Sequence, residues 1–215
     1  MKKTISTILF ISLFSILFAQ KQEKRPFQIK WNFSTLANYM PSIQGGVQYQ
    51  LFDKFHLQHE VGFISGAFSP FWDLEDKLFG LRVNNTLKYY VSTFSSKVPL
   101  YFGLDIFYRR NSYQTQWLYS MYDESYFEII SRNRKKQVIA GSLILGFEPY
   151  ISESVFLEFY GGLGIRQLII KDQAIPEYAK ISGSTLFRQS EGTYFFPNIT
   201  MGIRIGFVLY QNKGN

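Results

Sequence analysis

Cysteine is absent from the chain and histidine occurs only twice. Without cysteine there can be no disulfide and no cysteine-linked lipid anchor, so the fold must be held by packing, hydrogen bonding or its surroundings. Long hydrophobic runs are missing beyond Gln20, so no later segment suits a membrane-spanning helix, which needs ~20 apolar residues. A mature chain that lies in a membrane would have to cross it as a closed barrel. Acidic residues are outnumbered, 16 against 23 basic, for a formal charge of +7. The basic residues are mostly spread singly, which favours neutralisation of internal carboxylates over nucleic-acid binding, and no nucleic-acid partner is expected.

Aromatics, by contrast, make up 19% of the chain, with 22 Phe and 15 Tyr. Strand propensity and an interfacial aromatic belt together account for such an excess. The first 19 residues have Lys2 and Lys3, an apolar stretch from Ile8 to Phe14, and Ala19 before Gln20. This is the pattern of a secretory signal peptide, with cleavage expected after Ala19 and a single mature domain over 20–215.

The stretch Asn198 to Tyr210 alternates strictly. Ile199, Met201, Ile203, Ile205, Phe207 and Leu209 form one face; Asn198, Thr200, Gly202, Arg204, Gly206 and Val208 form the other. Period-two alternation predicts a strand. Two glycines and an arginine on the polar face suit a narrow interior, with the apolar groups turned outward. Seven earlier segments repeat the pattern, at about 28–39, 43–51, 55–66, 78–91, 100–112, 136–148 and 154–169. The links after the second, fourth and sixth are short, whereas those after the third, fifth and seventh are longer, as in outer-membrane barrels with short periplasmic turns.

The leader, the eight strands and the Gly-Ile-Arg-Ile-Gly-Phe ending resemble the small eight-stranded outer-membrane barrels of Gram-negative bacteria, the OmpA/OmpX-like group. That resemblance implies an all-β, antiparallel, up-and-down transmembrane barrel. Its partners would be outer-membrane lipids, lipopolysaccharide and the outer-membrane assembly machinery. The chain departs from the group in ending Gln211-Asn212-Lys213-Gly214-Asn215 rather than on a terminal Phe.

An eight-stranded barrel has an interior that side chains can fill. The expected inward charges are Lys30, Arg82, Lys88, Arg109, Arg166 and Arg204 against Glu60, Asp105, Glu148 and Glu158. Unpaired, they would be costly, so a network is expected, with Glu60 near Arg82, Asp105 near Lys88 and Glu158 near Arg204. His56 and Glu60 share a strand face while His59 points the other way, which is not a helical zinc pair. No His-x-Ser pair on one face matches the lipid A deacylases, and no catalytic residue, metal or cofactor is expected. A soluble lipocalin-like barrel, apolar face inward, would expose Gly46, Gly162, Gly164, Gly202 and Gly206 on its wall, where glycine weakens a strand.

Two stretches are candidates for recognition. The segment of about 113–135 interleaves Tyr113, Trp117, Tyr119, Tyr122 and Tyr126 with polar residues, and rigid aromatics suit contact with an extracellular protein partner, a periplasmic partner being the alternative. It reads as a long loop, the rival being that strands five and six run on past the membrane. Just within its end, Arg132, Arg134, Lys135 and Lys136 form a basic run suited to lipopolysaccharide phosphates.

Overall fold

The computed structural model describes residues 27–37, 41–52, 54–68, 78–91, 98–121, 126–174, 179–181 and 191–209. The expected leader, Tyr122 and the chain from Tyr210 onward lie outside the described residues. Nine strands occur in order: β1 (Gln28–Asn32), β2 (Ser42–Phe52), β3 (Phe55–Ser65), β4 (Phe79–Tyr90), β5 (Leu100–Met121), β6 (Tyr126–Phe147), β7 (Val155–Asp172), β8 (Ala179–Ile181) and β9 (Gly192–Val208). Eight of them close a ring, β1-β2-β3-β4-β5-β6-β7-β9 and back to β1, with every pairing antiparallel. The short β8 stands outside the ring and pairs with Tyr119–Met121 of β5. This is the eight-stranded up-and-down barrel that the resemblance implies, and closure leaves its wall no free edge.

Period-two alternation decides which side chains enter the lumen. On β1, Gln28, Lys30 and Asn32 are buried while Ile29 and Trp31 are exposed. On β5, Tyr101, Gly103 and Asp105 are buried, and Leu100, Phe102, Leu104 and Ile106 face out. β6, apolar on both faces in sequence, turns Val138, Ala140, Ser142 and Ile144 inward and Ile139, Leu143, Leu145 and Phe147 outward. Polar groups therefore fill the middle and large apolar groups coat the wall, the reverse of a soluble globule and of a lipocalin. Ile199 and Met201 of β9 are 69% and 74% exposed, whereas Arg204 is 0%. Monomeric soluble proteins do not carry such a continuous apolar surface.

Two segments differ from the sequence reading. The first strand ends at Asn32, and Phe33–Ala37 form a 3-10 turn instead of strand to 39. Ser34 and Thr35 cause this, because short hydroxyl side chains compete for backbone groups. Thr35 Oγ1 lies 2.7 Å from the carbonyl oxygens of both Asn32 and Ser42. Ser34 Oγ accepts the Ile203 N–H at 3.1 Å, a donor that a continuing β1 would have engaged. The second correction is larger. The stretch 113–135 is not a long loop: of the two readings the rival holds, strands five and six running on, because β5 and β6 pair continuously from Leu100↔Phe147 to Met121↔Tyr126. Only 122–125 separates the two strands.

Glycine parity lets bulky luminal side chains fit. A Cβ on Gly206 would fall within the Phe156 ring, and one on Gly146 would meet Tyr101. Phe156 and Tyr101 are both 0% exposed, so neither has free space to retreat into. Gly206→Ala should therefore overpack the lumen and lower stability by about 1–3 kcal/mol. The refolded barrel's urea midpoint, followed by folded gel mobility, measures this, and the second change Phe156→Leu should recover part of the loss. An unchanged midpoint for Gly206→Ala would mean that the lumen is loosely packed.

Candidate functional site

The lower and middle lumen holds a sealed ion network. Lys30 of β1 donates to Glu148 Oε1 and Glu158 Oε2, each at 2.7 Å. Lys88 of β4 donates to the same two residues, at 3.0 Å to Glu148 and 2.7 Å to Glu158. Arg204 of β9 reaches Glu158 at 2.7 Å, with its Nε 2.6 Å from Glu60 Oε1. Tyr101 also donates its hydroxyl to Glu158. Three cations thus meet three carboxylates, and no side chain among the six is more than 1% exposed.

Neutral groups complete the shell. Gln44 and Asn84 donate to Glu60 Oε2 at 2.8 and 3.3 Å. Arg204 stacks 3.7 Å from the Tyr160 ring centroid, and Lys88 lies 4.1 Å from that of Tyr101. These faces attract the cations where water is excluded. Glu148 does not sit on a strand but just beyond β6, and beneath it Tyr150 packs on Phe156 with ring centroids 5.4 Å apart. Burial and the neighbouring Glu148 carboxylate push the Tyr150 hydroxyl up, so it stays neutral.

The structure sorts the expected charge pairs. Glu158 and Arg204 are direct partners across β7 and β9. Glu60, however, lies opposite Asn84 and pairs with Arg204, not Arg82, and Lys88 goes to the two glutamates, not to Asp105. Asp105 instead accepts from Thr86 at 2.6 Å and Asn84 at 3.0 Å. Both expectations fail by two residues of register: Gly62 faces Arg82, and Gly103 faces Lys88. Arg82 faces Arg109, and Arg166 faces Phe196.

Both histidines lie on β3 with opposite orientations. His56 is buried in the lumen, edge-on to Tyr90 at 4.8 Å between centroids. His59 faces outward, where Tyr49 OH is 3.1 Å from its Nε2 and Asn85 holds its Nδ1. Among the described residues neither a serine nor a carboxylate holds His59. No cluster of metal-ligating side chains occurs among the described residues.

The aromatic candidates fall on the long hairpin. Tyr113, Trp117 and Tyr119 belong to β5 and Tyr126 to β6. Tyr113 is buried, with Lys136 Nζ 5.1 Å from its ring centroid, so it does not offer a recognition surface. The basic run is divided by strand parity. Arg132, Arg134 and Lys136 share the inward parity of Val138, so of the run expected to meet lipopolysaccharide phosphates only Lys135 has the outward parity. Arg134 makes two hydrogen bonds to Asp172, at 2.6 and 2.7 Å, and Arg132 Nη2 lies 3.3 Å from the same carboxylate. Burial alone would lower the Arg134 pKa, but its bonds to Asp172 hold it above the usual value. Lys135 faces out, directly opposite the exposed Lys171 of β7. Asp172 lies beyond the seventh strand as read from the sequence, which ends at about 169; the signal for a longer strand is the strand-forming run Leu168-Ile169-Ile170.

No family model and no curated protein matches the chain. Among solved structures it is similar to the N-terminal β-barrel domain of Pseudomonas aeruginosa OprF, with 12% identity and a TM-score of 0.40 over 86% of this chain and 98% of that one. The barrel assignment rests on the strand register itself.

A buried pair that loses one partner leaves an uncompensated charge, at a cost of about 3–5 kcal/mol. Arg204→Met should destabilise the barrel by that order, while Arg204→Met with Glu158→Gln should cost clearly less than the sum of the two single changes. Unfolding midpoints for the double-mutant cycle decide it. Additive losses would mean that the two groups act independently.

Proposed function

We propose that the chain is an integral outer-membrane β-barrel, exported by a cleaved leader, with a filled polar interior and a structural, adhesive or assembly role exercised through its extracellular end. The observation that carries the reading is the apolar outer wall. Outward apolar residues run from Leu100 to Tyr108 on β5 and from Ile139 to Phe147 on β6. Each run matches the ~9–11 residues with which a tilted strand crosses a bilayer. Arg110 and its cross-strand partner Gln137 then end the band.

Above that edge β5 and β6 continue as a paired hairpin to Met121 and Tyr126. A stiff two-stranded projection holds its residues at lower entropic cost than a free loop, which suits contact with a partner on the outside. The sealed network argues against a steady pore. The reading is also non-enzymatic: His56 is buried inside the wall, and His59 has amide and phenol neighbours.

The lipid partner follows from the outer face. Arg110, Lys135 and Lys171 are exposed, outward and at the upper border of the apolar band. Charge-assisted hydrogen bonds from such a group suit the phosphates of the outer leaflet. The double change Lys135→Glu and Lys171→Glu should cut co-purifying lipopolysaccharide several-fold without loss of folded mobility, as measured by phosphate and fatty-acid content. An unchanged lipid content would remove this contact. Release of the native protein by osmotic shock, without detergent, would overturn the membrane reading as a whole.

A further inference from the structure

The charge balance of the lower lumen does not extend upward. Arg82 of β4 and Arg109 of β5 are directly opposed cross-strand partners, both with inward parity. Like charges placed so are unfavourable unless something lies between them. The Nε atoms of both are buried without a hydrogen-bond partner, and neither arginine makes an ion pair among the described residues. What they share is one ring: Arg82 Cζ lies 4.5 Å and Arg109 Cζ 5.9 Å from the Phe107 centroid.

A third arginine belongs to the same region. Phe107, Ala140 and Arg166 form one row across β5, β6 and β7, and the small Ala140 separates the aromatic from the guanidinium. Arg166 packs on Phe196, 5.6 Å from its centroid, and is itself exposed. The carboxylate below them, Asp105, is engaged by Thr86 and Asn84. The basic residues above are differently placed: Arg132 and Arg134 share Asp172. Three guanidinium groups are therefore carried on neighbouring strands in one part of the lumen, each beside an aromatic ring, and the buried Nε groups of Arg82 and Arg109 have no acceptor. Guanidinium edges match oxyanions in both geometry and charge.

We propose that Arg82, Arg109 and Arg166 form a luminal site for a small multiply charged oxyanion of the phosphate class. The inference rests on luminal geometry and goes beyond the membrane and recognition roles above. The aromatic faces pre-orient the arginines, and the anion supplies the counter-charge that the protein omits. The barrel would then be more stable when the site is loaded, so binding and barrel stability are linked.

The test uses the full mature chain refolded in detergent, titrated with inorganic phosphate and pyrophosphate at constant ionic strength. Wild type should bind saturably and its unfolding midpoint should rise with either anion, whereas chloride should have no such effect. Arg82→Gln should weaken binding at least tenfold, and Arg166→Gln, at an exposed position, should weaken it while preserving the fold. Arg109→Glu supplies an internal partner for Arg82, so it should abolish binding and raise the midpoint in anion-free buffer. Adding bis-phosphorylated lipid A to the micelles distinguishes the source of the phosphate group: competition with phosphate means that a headgroup can occupy the site, and its absence restricts the site to soluble anions. Absence of saturable binding to wild type would overturn the proposal. So would undiminished affinity in Arg166→Gln and Arg109→Glu, even if Arg82→Gln failed to fold.

Discussion

Glu158 is the group on which the barrel's interior depends. It accepts from Lys30, Lys88, Tyr101 and Arg204, so β7 is tied to β1, β4, β5 and β9 at one carboxylate. These partners lie 46 to 128 residues away in sequence; Arg204 needs only the β7–β9 pairing, whereas Lys30 and Lys88 come from non-adjacent strands and reach Glu158 only when the ring is nearly closed. Their net contribution to stability is limited, because taking charges out of water offsets much of the attraction. Specificity is a different matter. A one-residue slip of any wall strand would turn its charge toward the outside and its apolar row inward. If the outside is lipid, an outward Lys or Arg at mid-depth costs about 2–4 kcal/mol. The network therefore penalises wrong registers more than it rewards the right one.

The strand faces were legible in the sequence because side-chain parity is a local property. Lys30, Lys88, Glu158 and Arg204 alternate with large apolar neighbours, Glu60 stands between His59 and Val61, and all five point inward. Partner identity was not local. Counting back from turns assigns each charge to the adjacent strand, whereas a long lysine in a narrow barrel reaches beyond it. Lys30 of β1 thus touches Glu158 of β7, although β9 stands between them. The opposition of Arg82 and Arg109 depends on the β4–β5 stagger, which the chain between them does not encode in its composition.

Other failures have chemical causes. β1 was drawn too long because Phe33 continues the apolar face, while the hydroxyls of Ser34 and Thr35 bend the backbone away. The β5–β6 stretch is left open in the sequence, between a loop and extended strands, for the opposite reason. Once strands leave an apolar surrounding, no face has to be apolar, and alternation ceases to mark them. What remained in the sequence was propensity: Tyr113, Thr115, Trp117 and Tyr119 on one strand, and Ile129 and Ile130 on the other, are strand-forming residues.

The run Arg132 to Lys136 shows how a single basic stretch takes two roles when it lies on a strand. On a loop these residues would share one solvated surface. On β6 their side chains alternate, so Arg132 and Arg134 close on Asp172 inside while Lys135 faces Lys171 outside. The inner pair shares one carboxylate within the protein; the outer pair faces none across the strands and sits where the apolar wall ends. The same contrast separates the lower lumen, where three cations meet three carboxylates, from the Arg82, Arg109 and Arg166 region above it. In the lower lumen the barrel matches its buried cations with its own carboxylates. The two places where it leaves cations side by side, one in the upper lumen and one on the outer rim, are therefore where an external anion has the most to contribute.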